Sequence, residues 1–144
     1  MNTHVNLSST KDILLHLERC DRSFYIPVSQ YVDLSDYSLK IFEYATRYEI
    51  FDDDSNLVAL IAYYKNEHYF YITNVSTLPS AQGKGFATLL LNNVSRDADL
   101  SGQVIKLEVA SEDQRTIEFY KRFNFSILSD VNNLNKIEMV RYPN

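Results

Sequence analysis

The run Ser80-Ala81-Gln82-Gly83-Lys84-Gly85-Phe86-Ala87 limits the possible folds more than any other stretch of the chain. It holds two of the three glycines in 144 residues, one residue apart. An average chain carries roughly 7% glycine, so the pair answers a local need. Before it, His68 to Thr77 (HYFYITNVST) is rich in aromatic and β-branched residues and reads as a long strand. After it, Phe86 to Ala98 reads as a helix with Leu89, Leu90 and Val94 on one face. The first amides of such a helix lack intrahelical acceptors and, with the macrodipole, attract anions. Glycine removes the Cβ that would block a phosphate, and Lys84 adds a positive charge. A tight strand-to-helix turn with no ligand is the other reading of the same residues.

The flanking sequence supplies the rest of the architecture. Ser9 or Thr10 can cap a first helix that carries Ile13, Leu14, Leu17 and Cys20. Tyr25 to Leu34 reads as a loop, and a second helix starts at a Ser35 cap with Tyr37, Ile41, Tyr44 and Ala45 on its apolar face. Tyr48 to Phe51 is strand-like, the polar turn 52–56 follows, and Leu57 to Tyr64 is apolar on both faces, as a central strand is. Val104 to Val109 is a further buried strand, Asp113 to Phe123 an amphipathic helix, and strands near Phe125–Leu128 and Lys136–Val140 close the chain. The order predicts an α/β fold: a mixed central sheet with an antiparallel front half and helices on both faces. The glycine-led helix crosses over to a neighbouring parallel strand. A ligand site belongs where the strand ends open towards a helix N-terminus.

Composition bounds the class. At 16.8 kDa, residues 1–144 are read as a single domain, large enough to bury roughly 70% of its unfolded surface. No apolar run reaches the roughly 20 residues that span a bilayer, and the N-terminus lacks the pattern of a signal peptide. A membrane partner is therefore not expected. Cys20 is the one cysteine, which rules out an internal disulfide and points to a reducing, cytoplasmic setting. A net charge of -5 argues against a nucleic-acid partner. His4, His16, His68 and Cys20 show no metal-ligand spacing, and Asp52-Asp53-Asp54 lacks that of a calcium loop.

Familiar phosphate motifs do not fit the glycine run. Lys84 is followed by Gly85 and not by the Ser or Thr of a Walker A loop, and no third glycine completes a dinucleotide fingerprint. What remains is Gln82-x-x-Gly85-x-Ala87, followed downstream by LEVASEDQRTIEFYKRFNF and preceded by LVALIAYYKN. These segments resemble the GNAT superfamily of N-acetyltransferases, whose [RQ]-x-x-G-x-[GA] signature lies at a strand-to-helix junction. The resemblance covers about residues 35–128. It implies an acetyltransferase that moves an acetyl group from acetyl-CoA to a primary amine, by direct attack in a ternary complex and without a metal. A non-catalytic acyl-CoA-binding or sensing module on the same fold is the alternative.

The resemblance also assigns roles. Gln82, Gly83, Lys84, Gly85, Phe86 and Ala87 match the loop that holds the pyrophosphate of acetyl-CoA. Val75, Ser76 and Thr77 match the strand end whose backbone pairs with pantetheine and polarises the thioester carbonyl. Tyr120 matches the acid for the departing thiolate, and a phenol can protonate a thiolate as its charge develops. The family's strand glutamate falls near Thr73, where Thr73-Asn74 offers no base. Glu108, twelve residues before Tyr120, is the substitute, with a water chain as the other route. Two positions depart from the pattern. The helix-start asparagine near CoA is Asp113 here, and the glycine after the helix is Asn124, a residue that tolerates the left-handed conformation. Tyr25, Tyr31, Tyr37, Tyr63, Tyr64 and Tyr69 either line an acceptor pocket or belong to the core or a subunit interface. A small-molecule amine is the favoured acceptor, and a homodimer is compatible with the fold.

Overall fold

In a computed structural model, which describes residues 2–129 and 135–144, the chain forms a seven-stranded mixed sheet with helices on both faces. Helix α1 (Thr10–Cys20) starts at Ser9 with a reciprocal capping box: Asp12 N–H donates to Ser9 Oγ at 3.1 Å and Ser9 N–H to Asp12 Oδ2 at 2.9 Å. Helix α2 (Leu34–Tyr44) is capped by Asp33, two residues before the expected Ser35 cap, and the Asp33 carboxylate accepts from Asp36 N–H at 3.0 Å. Its apolar face carries Ile41 and the buried Ser38, while Tyr44, expected on that face, is 70% exposed.

The strands follow as β1 (Thr3–Val5), β2 (Thr46–Phe51), β3 (Leu57–Lys65), β4 (Tyr69–Thr77), β5 (Val104–Ala110), β6 (Ser126–Ser129) and β7 (Lys136–Arg141), in the spatial order β1-β2-β3-β4-β5-β7-β6. β1 pairs with the β2 edge and was not foreseen, because three residues are too few to show a period. Every neighbouring pair is antiparallel except β4–β5. Helix α3 (Phe86–Ser101) makes the crossover between those two, and helix α4 (Gln114–Lys121) follows β5. α3 runs three residues beyond the expected end and stops at Gly102, whose left-handed φ of 64° lets its N–H reach back to the Ala98 and Asp99 carbonyls.

The apolar character of β3 on both faces has a direct structural meaning. Ala59, Ile61 and Tyr63 belong to the core shared with Leu90, Leu91 and Val94 of α3 and Ile117 of α4. Leu60 and Ala62 belong to the opposite core, with Ile13 and Leu17 of α1 and Ile41 of α2. Leu89, expected on the inner face of α3, is 42% exposed, and Leu91 takes that place. β2 carries a buried ion pair, Arg47 Nε to Glu49 Oε2 at 3.1 Å, with Glu49 also accepting from the amides of Leu7 and Ser8. This carboxylate ties the segment after β1 to the sheet. Among the described residues, no helix is long and apolar enough to cross a membrane.

Candidate active site

The site arises from an interruption in sheet pairing. β4 and β5 pair in parallel only at Tyr69–Val104, Phe70–Ile105 and Tyr71–Lys106. Beyond these rungs the strands diverge, β5 staying with β7 up to Ala110 and β4 staying with β3 up to Thr77. Thr73 contributes to the divergence, since it is an extra residue between the rungs Tyr63–Ile72 and Ala62–Asn74. The gap is a cleft of about 290 Å³, lined by β4 from Tyr71 to Thr77, by β5 from Leu107 to Ala110, and by Gln82, Asp113, Thr116 and Tyr120. The segment after α1 forms a further wall, with Phe24, Tyr25, Val28 and Tyr31.

Strand geometry decides which backbone groups face the gap. Leu78 N–H donates to Val58 O at 2.9 Å. Antiparallel rungs alternate, so the β4 residues bonded to β3 are Leu78, Ser76 and Asn74. Thr77 and Val75, opposite Ala59 and Ile61, turn their N–H and C=O the other way, into the gap. Gln82 Nε2 donates to the Thr77 carbonyl at 3.4 Å, in keeping with that direction. Of the three strand residues expected to present backbone groups, Val75 and Thr77 do so. Ser76 turns its backbone to β3, and its side chain faces α1.

The glycine loop ends the cleft. Gly83 and Gly85 both have φ of 80°, a left-handed conformation that L side chains adopt only with strain. Gly85 is the N-cap of α3 and offers no side-chain bond to the first-turn amides. The other three α-helices are all capped by a side chain: Ser9, Asp33 and Asp113. The first turn of α3 therefore keeps its N–H groups and its positive dipole end for an anion, with Lys84 exposed beside it. Open β4 amides and an uncapped helix start at the end of the same gap fit the amide arm and the diphosphate of acetyl-CoA. Among the described residues, no group of His, Cys, Asp or Glu could hold a metal ion.

Tyr120, on α4, reaches the cleft and is 7% exposed, between Phe119 and Phe125. Burial, and after it the Asp113 carboxylate, push its phenol above the ordinary value, so it keeps its proton at neutral pH. Asp113 caps α4 by accepting from Thr116 N–H at 3.2 Å, a role an asparagine would fill equally well. Asn124 adopts φ of 69° beyond α4, the left-handed conformation foreseen for it. Glu108 lines the cleft from β5 and stands directly opposite Glu138 on β7. Burial, then Glu108 and Glu138, push the neighbouring Tyr71 phenol up. Of the tyrosines singled out in the sequence, Tyr25 and Tyr31 line the cleft, whereas Tyr63 and Tyr64 belong to the two cores.

One cluster gave no signal in the sequence. His16 on α1 is 1% exposed, with Nδ1 2.9 Å from the Leu57 carbonyl and Nε2 2.8 Å from Ser76 Oγ. Cys20 Sγ lies 3.5 Å from the same Nε2, and Ser76 Oγ lies 2.7 Å from Asn74 Oδ1. Burial draws the His16 pKa down to about 4 and pushes the Cys20 thiol up to about 12, so both are neutral at neutral pH. Their positions on α1 show only a helical period.

A mixed sheet splayed at its parallel pair β4–β5, with an uncapped helix start following β4, suits an extended ligand that carries both amides and an anionic group. Residues 12–125 match the family model described as "Acetyltransferase (GNAT) family", and the chain belongs to that family. It is an acyltransferase with acetyl-CoA as co-substrate. Among solved structures it is similar to aminoglycoside 6'-acetyltransferase type Ii, with TM-score 0.78, 16% identity and coverage of 99% of this chain and 97% of that one. It is also similar to the ribosomal-protein-S18-alanine N-acetyltransferase from Escherichia coli, with TM-score 0.75, 14% identity and coverage of 98% and 94%. A third is the PaiA N-acetyltransferase from Thermoplasma acidophilum in complex with coenzyme A, with TM-score 0.73, 13% identity and coverage of 99% of each chain. No curated protein matches at the level of sequence.

Proposed function

We propose that the protein, acting as a single domain over residues 1–144, transfers the acetyl group of acetyl-CoA to a primary amine of a small molecule, by direct attack in a ternary complex. The observation that carries this reading is the open edge of β4, where Val75 and Thr77 turn unpaired backbone groups into a cleft that ends at the uncapped start of α3. Acetyl-CoA supplies an activated acyl group on a thiolate leaving group. The loop from Gln82 to Ala87 binds the diphosphate, and Thr77 pairs with the pantetheine arm. The Val75 N–H donates to the thioester carbonyl and stabilises the charge that grows on its oxygen. Glu108 takes the proton from the attacking amine, and Tyr120 protonates the CoA sulfur as it leaves.

The cleft of about 290 Å³ has to take the pantetheine arm as well as the acceptor, and a small amine suits the space that is left. A reducing compartment suits the free, buried Cys20. The test is release of free thiol from acetyl-CoA with a panel of small amines, protein N-termini and amino sugars. Turnover with small amines, lost in Tyr120→Phe without loss of CoA binding, is the expected result. Firm CoA binding with no turnover on any amine would contradict catalysis and leave a sensing module.

A further inference from the structure

The part of β4 that lines the cleft has a strand neighbour on one edge only. From Asn74 to Thr77 it pairs with β3, while the edge towards β5 is open. Thr73 adds an inserted residue, which loosens and twists a strand locally. An N–H that stabilises a reacting carbonyl must nevertheless hold its aim before the reaction begins.

Two side chains from the helices brace this segment. Tyr37 on α2 donates its phenolic O–H to the Thr73 carbonyl at 2.7 Å, at the inserted residue itself. His16 on α1 contacts β4 at Ser76 Oγ and β3 at the Leu57 carbonyl. The carbonyl can only accept, so Nδ1 carries a hydrogen, and one imidazole joins α1 to both strands. Nε2 then carries no hydrogen and only accepts. The Ser76 hydroxyl, 2.8 Å from Nε2 and 2.7 Å from Asn74 Oδ1, has one hydrogen for two acceptors, and given to Nε2 it ties β4 to α1. Thr73 and Ser76 bracket Val75. Neither Tyr37 nor His16 lines the cleft, and no step above uses them.

We propose that Tyr37 and His16 are positioning residues for acetyl transfer, which by pinning Thr73 and Ser76 keep the Val75 N–H aimed at the thioester carbonyl. The inference rests on the role given to Val75 above. It places control of an oxyanion donor in α1 and α2, on the face of the sheet opposite α3.

The experiment is isotope-edited infrared spectroscopy of acetyl-CoA labelled at the thioester carbonyl and bound without acceptor. It is combined with kcat and calorimetric CoA affinity for wild type, Tyr37→Phe, His16→Ala and His16→Gln, with far-UV circular dichroism to establish that each is folded. In wild type the bound carbonyl stretch moves to lower frequency than in solution. In Tyr37→Phe and His16→Ala that displacement shrinks and kcat falls on the order of tenfold, less than the roughly 10²–10³ lost on deleting a donor outright. CoA affinity stays within about threefold, because the α3 amides are unaltered. His16→Gln, whose amide can still reach Ser76, recovers part of both signals. A wild-type protein without the displacement removes the Val75 role and this proposal with it. A displacement that persists in folded Tyr37→Phe and His16→Ala, whatever happens to kcat, overturns the positioning proposal and leaves Val75 in place.

Discussion

Gly85→Ala separates a phosphate cradle from a plain turn. Gly85 has φ of 80° and ψ of 13°, and an added Cβ would meet nothing within 4 Å. The substitution therefore causes no clash, and its whole cost is the left-handed conformation, about 1–2 kcal/mol for an L residue. The loop is exposed, so a free variant escapes this strain by letting the turn open, although the Gly85 carbonyl accepts the Leu89 N–H at 3.1 Å. Diphosphate binding has to restore the left-handed turn to align the α3 amides. The strain thus appears in affinity, and a penalty of about 1–2 kcal/mol raises the CoA Kd about 5–30-fold. Isothermal calorimetry with CoA measures it. S-acetylpantetheine, which lacks the diphosphate, is the control and should bind the variant as it binds wild type. An unchanged CoA Kd, or equal weakening of CoA and acetylpantetheine, would refute the reasoning.

Other expected outcomes follow from the same geometry. Tyr120→Phe lowers kcat by about 10²–10⁴-fold, the usual range for a general acid, while CoA affinity measured by calorimetry stays near wild type. Glu108→Gln lowers kcat in steady-state thiol release with little change in acetyl-CoA KM, and full turnover would leave the proton to a water chain. His16 titrates near 4 in the folded protein and at 6.5 ordinarily. The unfolded chain therefore binds the extra proton between those values, and stability falls with falling pH across that window by about 3 kcal/mol. Urea unfolding at a series of pH values should show this slope, and His16→Gln should flatten it. Arg47→Ala leaves the buried Glu49 carboxylate without its ion pair and should cost about 3–5 kcal/mol in urea unfolding, far more than a surface pair would.

What could be read from the sequence was what short-range chemistry dictates. The two-faced apolar run of β3, the glycine turn and the amphipathic face of α4 each have a local cause, and with a resemblance to a family they lead to the mixed sheet and the CoA loop. Errors arose where a local signal had two readings. Asp33 and Ser35 are both good caps, and the backbone turns at the earlier one. Leu89, Leu90 and Leu91 are adjacent, and only packing against β3 selects the inner two. The His16–Ser76–Asn74 cluster was not legible because its members are 60 and 2 residues apart in sequence. A histidine on an apolar helix face gives no sign of the strand it will meet. The opening between β4 and β5 came only through the family resemblance, which implies a strand end at Val75–Thr77 free to pair with pantetheine. Its extent depends on where parallel pairing stops and on one inserted residue, Thr73.

The account turns on the open edge of β4 as the place where acetyl-CoA binds. Residue-resolved amide hydrogen exchange, with and without acetyl-CoA, tests this most directly. In the free protein the Val75 and Thr77 amides have no strand partner and exchange fast, while those of Asn74 and Ser76, bonded to β3, exchange slowly. Acetyl-CoA should protect Val75, Thr77 and the amides from Gly83 to Thr88. Protection confined to other parts of the sheet, or Val75 and Thr77 exchanging as fast with acetyl-CoA as without it, would contradict the account.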